Sequence, residues 1–137
     1  AYLAGALREL ARYRSPAFRL TADDDCEAAP SRLLLAFVAN GQYCGGRMHV
    51  APAARQDDGA FDLVTIDDVG LLRALPKLAR LYLGNLLRDP LVQHRLVTRV
   101  CITAEPVAGI EADGQFVGRT PAVISVERGA LRTLRGP

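Results

Sequence analysis

The order of hydrophobic and polar residues predicts a chain built mostly from short strands. Phe61, Leu63 and Thr65 alternate with three other residues up to Ile66 in a run rich in β-branched side chains, which is typical of a strand. The run Leu33–Asn40 is apolar on both alternating faces, which predicts a central strand covered on both sides. Further strands are predicted over 17–21, 95–103, 107–111, 115–117, 122–126 and 131–134.

The longest of these later segments, Arg95–Thr103, is predicted to be one half-exposed strand with Leu96, Val100 and Ile102 on the same face. Turn-forming residues separate the segments that follow it, at Asp113-Gly114, Arg119-Thr120-Pro121 and Arg128-Gly129. So many short strands joined by turns predict a mainly β fold with accessory helices, either a β-sandwich or a distorted barrel.

Two segments have the period of a helix instead. Leucines share one face between Leu3 and Leu10, and this pattern starts without a helix start signal, which suggests a fragment of a longer protein. A leucine stripe runs from Leu71 to Leu87, after Asp67-Asp68 at the helix start, and Gly84-Asn85 is predicted to end its main part. The stripe has two open explanations: packing on the sheet, or contact with lipid beside its arginines and lysine.

The composition predicts one globular domain over the 137 residues. Half of the residues are hydrophobic, 23% are charged and the net charge is +2, which does not favour a nucleic-acid binder. No apolar run approaches the roughly 20 residues that span a bilayer, and no secretion signal is visible. We therefore expect a cytoplasmic, soluble protein.

Isolated acidic, histidine and cysteine residues are interpreted as structural. Asp23-Asp24-Asp25 lies among turn formers and predicts a solvated hairpin loop, while His49 and His94 have no partner at ligand spacing. The cysteines are odd in number and lack a CxxC pair, which argues against a disulfide framework or a zinc site and predicts free thiols that are buried or half-buried: Cys26, Cys44 and Cys101.

An irregular loop leads into the strand at Phe61. Pro52 lacks an amide donor, and Asp57-Asp58-Gly59 places side-chain acceptors beside a residue that adopts positive φ freely. Two adjacent carboxylates repel each other unless hydrogen bonds or a cation compensate. Either an Asx-turn or a bound divalent ion at this loop satisfies that requirement.

The loop and a later block carry a resemblance to a known family. The motifs are Asn40-Gly41-Gln42-Tyr43-Cys44-Gly45-Gly46, Ala51-Pro52-Ala53-Ala54 and Asp57-Asp58-Gly59-Ala60-Phe61-Asp62, followed by Glu111-Ala112-Asp113-Gly114-Gln115, Thr120-Pro121-Ala122 and Gly129-Ala130-Leu131. Their order and separation resemble the C-terminal domain of the soluble diacylglycerol kinase and sphingosine kinase family, of the bacterial lipid kinase type.

The resemblance implies the second half of a two-domain, ATP-dependent lipid kinase. Residues 1–137 would be the β-rich domain that binds the lipid substrate, and the nucleotide-binding α/β domain would precede it. No glycine-rich nucleotide loop of the GxGxxG, GxxxxGK[ST] or GGDGT type occurs in the chain, so we expect the chain alone to be inactive. The implied partners are a lipid, the preceding domain and the periphery of a membrane; a homodimer stays open.

The resemblance also implies roles for individual residues. Asp113 matches the family aspartate that activates the lipid hydroxyl, and Gln115 stands where the family usually has a glutamate. Asp58, with the main-chain carbonyls of Arg55 and Ala60, matches a structural metal site, and oxygen ligands on an irregular loop suit Mg²⁺ or Ca²⁺; we expect Mg²⁺.

Alternatives remain open for the residues and for the whole chain. Asp113-Gly114 is also a typical type I′ hairpin turn, and Asp58 is also typical of an Asx-turn without an ion. At the level of function, the alternative is a non-catalytic β-rich binding module that shares the fold, with which Gln115 is consistent. The related NAD kinase fold is less favoured, because its C-terminal domain lacks the block from Ala51-Pro52 to Asp57-Asp58-Gly59.

Overall fold

The computed structural model describes residues 15–23, 29–45, 47–70 and 79–131. Within them lie ten strands and a 3-10 turn, Leu86–Arg88. The strands are β1 Ala17–Ala22, β2 Ser31–Ala39, β3 Tyr43–Cys44, β4 Met48–His49, β5 Phe61–Asp67, β6 Val92–Val97, β7 Arg99–Glu105, β8 Gly109–Ala112, β9 Gln115–Arg119 and β10 Ala122–Ser125. The helix expected near the start of the chain, the first part of the leucine stripe and residues 132–134 lie outside the described residues.

The main sheet has six antiparallel strands in the order β10-β7-β1-β2-β5-β6, counted over the described residues. Two hairpins, β3-β4 and β8-β9, form separate two-stranded sheets. This confirms a mainly β fold with few helices; the sheets do not close into a barrel, so the sandwich alternative holds.

The sheet divides into two layers at β2. Strand β1 pairs with β2 only at Ala17–Arg32 and Phe18–Ser31, whereas it pairs with β7 along its whole length. The layers β1-β7-β10 and β2-β5-β6 both contribute to one buried cluster, whose members are Ala22, Leu63, Val97, Val100 and Ile102. Burial of these side chains between two antiparallel layers is the packing of a sandwich.

The opposite face of β5 contributes to a second buried cluster. Val64 and Ile66 of β5 pack there with side chains from the loop before β5 and from the segment before β6: Val50, Ala51, Ala54, Leu81 and Leu86. Strand β5 is therefore buried on both faces from Asp62 to Ile66. The both-sided burial that was predicted for Leu33–Asn40 belongs to β5, while β2 is central in the sheet but only partly buried.

The prediction of a single strand over Arg95–Thr103 is wrong. Strand β6 ends at Val97 and β7 begins at Arg99, with a bend at Thr98 between them. The two strands have different neighbours: β6 pairs with β5, and β7 pairs with β1 and β10. The corner interrupts the alternation of inward and outward side chains that a single strand would have. Val97 is therefore buried together with Val100, while Leu96 is 59% exposed. A strict period of two cannot predict such a corner, since it assumes that the strand continues.

Asp23, which the sequence predicts to lie in a solvated loop, accepts the hydrogen bonds that stabilise this corner. Its carboxylate Oδ1 accepts hydrogen bonds from the Thr98 hydroxyl at 2.6 Å, the Thr98 amide at 2.8 Å and the Arg99 amide at 2.9 Å. The hydrogen bonds from Thr98 lower the pKa of Asp23, and the Arg99 amide and the charge of Arg95 add to this effect. The end of β1 is thus tied to the β6–β7 corner by a charged acceptor.

The helical residues 79–83 end where the sequence predicts. Gly84 follows them with a φ of 68°, the left-handed conformation common after a helix, and the Asn85 amide donates to the Arg80 carbonyl. Arg80 also forms an ion pair with the buried Asp89 at 2.9 Å, which joins this segment to the start of β6. In the part of the chain that the structure describes, no helix is long and apolar enough to cross a bilayer.

We predict that stability is lost in acid through Asp23. Because its pKa is lowered in the folded protein, the stabilisation is complete above about pH 4 and disappears as the pH falls through the folded pKa. Urea midpoints of the wild-type protein should therefore fall more steeply below about pH 4 than those of Asp23→Asn. Glu127→Gln, which changes an exposed carboxylate without a hydrogen bond to described residues, is the control. Parallel pH profiles for wild type and Asp23→Asn would contradict this role.

Candidate functional site

Asp113 lies at the tip of the β8–β9 hairpin. Asp113 and Gly114 have φ values of 50° and 80°, and Ala112 pairs with Gln115 across them, which is the geometry of a type I′ turn. The Asp113 carboxylate is exposed and makes no hydrogen bond or ion pair with the described residues. The hairpin turn is therefore confirmed as local geometry, and it presents a solvated carboxylate.

The rest of this hairpin is exposed on both faces. Phe116 and Val117 alternate along β9 and are 62% and 60% exposed, and the guanidinium of Arg119 lies 5.8 Å from the centre of the Phe116 ring. Gln115 is exposed as the first residue of β9. Because the hairpin pairs with no strand of the main sheet, Asp113 and Gln115 project from the sandwich.

The Asp58 loop is an Asx-turn. The Asp58 Oδ1 accepts the Ala60 amide at 3.0 Å, and Arg55 forms an exposed ion pair with Asp57 at 3.2 Å. Gly59, with a φ of 72°, presents its carbonyl to Arg128 Nε at 3.3 Å. A Cβ at Gly59 would stand within 3 Å of the Arg128 side chain, which would have to move, and the positive φ itself favours glycine here.

The loop fits a hydrated magnesium ion rather than a fully enclosed metal. Among the described residues, no three His, Cys, Asp or Glu side chains are gathered at one point. Asp58 Oδ1 accepts the Ala60 amide, and no hydrogen bond from the described residues reaches the other carboxylate oxygen, which is therefore available as a ligand atom for a hard cation. Mg²⁺ commonly keeps several waters and uses one or two carboxylates. The two candidate residues lie on different parts of the fold, Asp58 in the loop before β5 and Asp113 in the turn between β8 and β9, and no hydrogen bond joins them.

Sequence reasoning missed the pair formed by Asp62 and His94. Asp62 is 2% exposed on β5, and its Oδ1 lies 2.6 Å from His94 Nε2 on β6. His94, for which the sequence predicts a structural role, thus has a partner 32 residues away, and no spacing motif could indicate that partner. The available signal was Asp62 itself, since a carboxylate inside a buried strand requires a partner.

His49 joins the β3–β4 hairpin to the end of the helical segment. Its ring stacks on Tyr43 with centroids 4.5 Å apart, and its Nδ1 lies 2.7 Å from the point where a Cβ on Gly84 would stand. His49 Nε2 and Asn85 Oδ1 are buried atoms that make no hydrogen bond with the described residues. The predicted burial of Cys44 is wrong, since this hairpin leaves it exposed; Cys101 is half-buried, as predicted, and Cys26 lies outside the described residues.

Comparison with known families settles which fold this is. The family model described as the YegS C-terminal NAD kinase beta sandwich-like domain matches residues 1–135. The chain belongs to this family. The family description likens its β-sandwich to that of NAD kinase, the related fold that the sequence favoured less than a lipid kinase domain or a non-catalytic binding module.

Relatives of this YegS-type domain are named as diacylglycerol kinases. The "Diacylglycerol kinase" of Mycobacterium tuberculosis, in strains H37Rv and CDC 1551, is 29% identical over 134 residues, which are 98% of this chain and 43% of that protein. The chain therefore spans less than half the length of these relatives. The resemblance to a lipid kinase C-terminal domain is confirmed at the level of the family.

Solved structures from Bacillus anthracis strain Sterne share the fold. One, described as a diacylglycerol kinase, has a TM-score of 0.63 and 18% identity over 89% of this chain and 43% of its own. Another has a TM-score of 0.70 and 22% identity over 93% of this chain and 44% of its own. At these identities the similarity establishes the architecture of the YegS-type domain.

We predict that Asp62 and His94 stabilise the fold as a coupled pair. Their groups lie at hydrogen-bond distance in a partly buried site, where removal of one leaves the other unsatisfied. A double-mutant cycle of Asp62→Asn and His94→Gln, read by urea unfolding, should give a coupling free energy of about 0.5–3 kcal/mol. The cycle Asp62→Asn with Glu127→Gln, whose side chains do not interact, should be additive. Additivity in both cycles would show that the Asp62–His94 contact contributes nothing.

Proposed function

We propose that this chain is the lipid-binding part of an ATP-dependent kinase that phosphorylates the hydroxyl group of a lipid. The observation that carries the proposal is Asp113, an exposed carboxylate at the tip of a projecting hairpin and without a partner among the described residues, in a chain of this family. A diacylglycerol or a sphingoid-like alcohol is the expected substrate class. The relatives named as diacylglycerol kinases support the first of these.

Asp113 would act as the general base. Transfer of a phosphoryl group to an alcohol requires a group that accepts the hydroxyl proton as the oxygen attacks. A solvated carboxylate at a rigid two-residue turn is held at one place while it stays accessible to a second domain. The preceding domain of the complete protein would supply ATP and its magnesium on the other side of the acceptor hydroxyl.

Gln115 would orient groups near Asp113 rather than add charge. Its amide both donates and accepts hydrogen bonds, but unlike the glutamate of the family pattern it cannot attract a cation as an anion does. A non-catalytic binding module is the second candidate function, and Gln115 is the observation that favours it.

The Asp58 loop would hold Mg²⁺ as a structural ion. The second carboxylate oxygen of Asp58 and the main-chain carbonyls of Arg55 and Ala60 would be its protein ligands, with water completing the coordination. When bound, the ion would balance the adjacent charges of Asp57 and Asp58. The hydrogen bond from Arg128 to Gly59 holds the same loop from the other side.

We predict that Asp113→Asn abolishes most of the activity of the complete protein. Asparagine keeps the size of the side chain and tolerates the positive φ of this position, but it is not a base. General-base assistance is worth about 10²–10⁴ in rate, so kcat should fall by that factor with little change in lipid binding. ATP consumption with diacylglycerol or sphingosine is the measurement.

Two controls test this role against the second candidate, and an unchanged melting temperature of Asp113→Asn separates it from folding. Gln115→Glu, which restores the family residue, should keep or raise activity, and the 137-residue chain without a nucleotide loop should show none. An Asp113→Asn protein with wild-type kcat would rule out the base. A complete protein that transfers no phosphoryl group from ATP to any lipid alcohol, even as Gln115→Glu, would favour the binding module.

We predict that Mg²⁺ raises the melting temperature of the chain through Asp58. Asp58→Asn is the decisive variant, because an asparagine oxygen can still accept the Ala60 amide while it removes the charge that holds a cation. Mg²⁺ should raise and EDTA lower the melting temperature of the wild type, with no effect on Asp58→Asn. Equal melting curves for the wild type with and without the ion would leave the Asx-turn as the whole role of Asp58.

A further inference from the structure

The hairpin that carries Asp113 is joined to the main sheet at both of its ends. Strand β7 leads into the hairpin and β10 follows it, and these two strands pair with each other in the main sheet. Residues 106–108 connect β7 to β8, whereas only Thr120 and Pro121 connect β9 to β10. The chain must therefore change from the direction of the hairpin to that of the sheet within this two-residue link.

Thr120 closes the base of the hairpin with two hydrogen bonds to Ala108. The Thr120 amide donates to the Ala108 carbonyl at 2.9 Å, as in a regular antiparallel ladder. The Ala108 amide donates in return to the Thr120 hydroxyl oxygen, Oγ1, at 3.0 Å, where a regular ladder would use the main-chain carbonyl. The side chain of Thr120 thus replaces its own carbonyl as the acceptor, which lets the main chain turn toward β10 while the pair stays closed.

Burial also distinguishes Thr120 from the rest of the hairpin. Within residues 106–121, all of which the structure describes, Thr120 is the only buried residue, with 5% of its surface exposed. No side chain of this range belongs to either of the two buried clusters. Packing against those clusters therefore does not fix the direction of the hairpin, and the paired hydrogen bonds at its base are left to do so.

We propose that Thr120 is a positioning residue for phosphoryl transfer, because its hydroxyl group fixes the direction in which the hairpin presents Asp113. The proposal rests on the proposed role of Asp113 as the general base. A strand rises about 3.3 Å per residue, so the tip lies roughly 20 Å from Thr120 and a rotation of about 3° at the base displaces the carboxylate by about 1 Å. Misplacement by about 1 Å is enough to cost on the order of 100-fold in rate.

The first test is kinetic and uses the complete protein. Thr120→Val removes the hydroxyl group and keeps the shape of the side chain, so kcat should fall by about 10- to 100-fold with an unchanged KM for the lipid, because Asp113 is displaced but still present. Thr120→Ser keeps the acceptor and should retain most of the rate. Thr103→Val makes the same change at an exposed threonine of β7, and its kcat should equal that of the wild type.

The second test follows the direction of the hairpin and needs no activity. Residual dipolar couplings of the backbone amides, measured on the 137-residue chain, should fit one common orientation of β8–β9 and the main sheet in the wild type and in Thr120→Ser. In Thr120→Val the hairpin couplings should shrink as its orientation averages, while unchanged couplings of the main sheet report an intact fold. Thr120→Ala, which removes the hydroxyl group with less bulk, is the second variant if valine disturbs the fold.

The outcomes separate this proposal from that of the general base. Wild-type couplings in Thr120→Val and Thr120→Ala, or averaged hairpin couplings already in the wild type, would overturn the role of Thr120. A wild-type kcat in Thr120→Val, in a protein that Asp113→Asn inactivates, would also overturn it, as would an equal loss of kcat in Thr103→Val. If Asp113→Asn kept its kcat, the general base would fail instead, and the couplings alone would decide whether Thr120 directs the hairpin.

Discussion

Burial of β5 on both faces is the constraint on which the rest of the structure depends. One face packs against β1 and β7 across the sandwich, and the other packs against the loop before β5 and the segment before β6. The packing of two layers in a sandwich covers the first face of β5, whereas an irregular loop and a short helical segment cover the second. Asp62 lies inside this strand, so its carboxylate must have a partner, and His94 provides it.

The same constraint positions the candidate sites at the edges of the sandwich. The Asp58 loop must enter β5 directly, which places Asp58 three residues before Phe61, and a hydrogen bond from Arg128 to Gly59 holds the same loop. The β8–β9 hairpin carries no part of either buried cluster among the described residues, and it extends away with Asp113 at its tip. Rigid packing in the centre and exposed polar turns at the margin are the usual arrangement of a scaffold that presents functional loops.

Much of this arrangement could be predicted from local sequence, and the failures share one physical cause. Alternation predicted β5, and turn residues predicted the Asp113-Gly114 hairpin and the end of the helix at Gly84, because each depends on neighbouring residues alone. The corner at Thr98, the Asp23 hydrogen bonds across 75 residues and the Asp62–His94 pair depend on how distant strands meet. Family motifs proposed roles for Asp58 and Asp113, but the ion and the substrate that would define those roles come from outside the chain.

The central functional claim concerns the place of the acceptor hydroxyl. The most direct measurement is a crystal structure of the complete protein with a non-hydrolysable ATP analogue and a lipid alcohol. We expect the hydroxyl to lie within hydrogen-bond distance of the Asp113 carboxylate, about 2.6–3.2 Å, with the γ-phosphoryl group on its other side. A lipid hydroxyl bound beside the phosphoryl group with Asp113 left in bulk solvent would contradict the account.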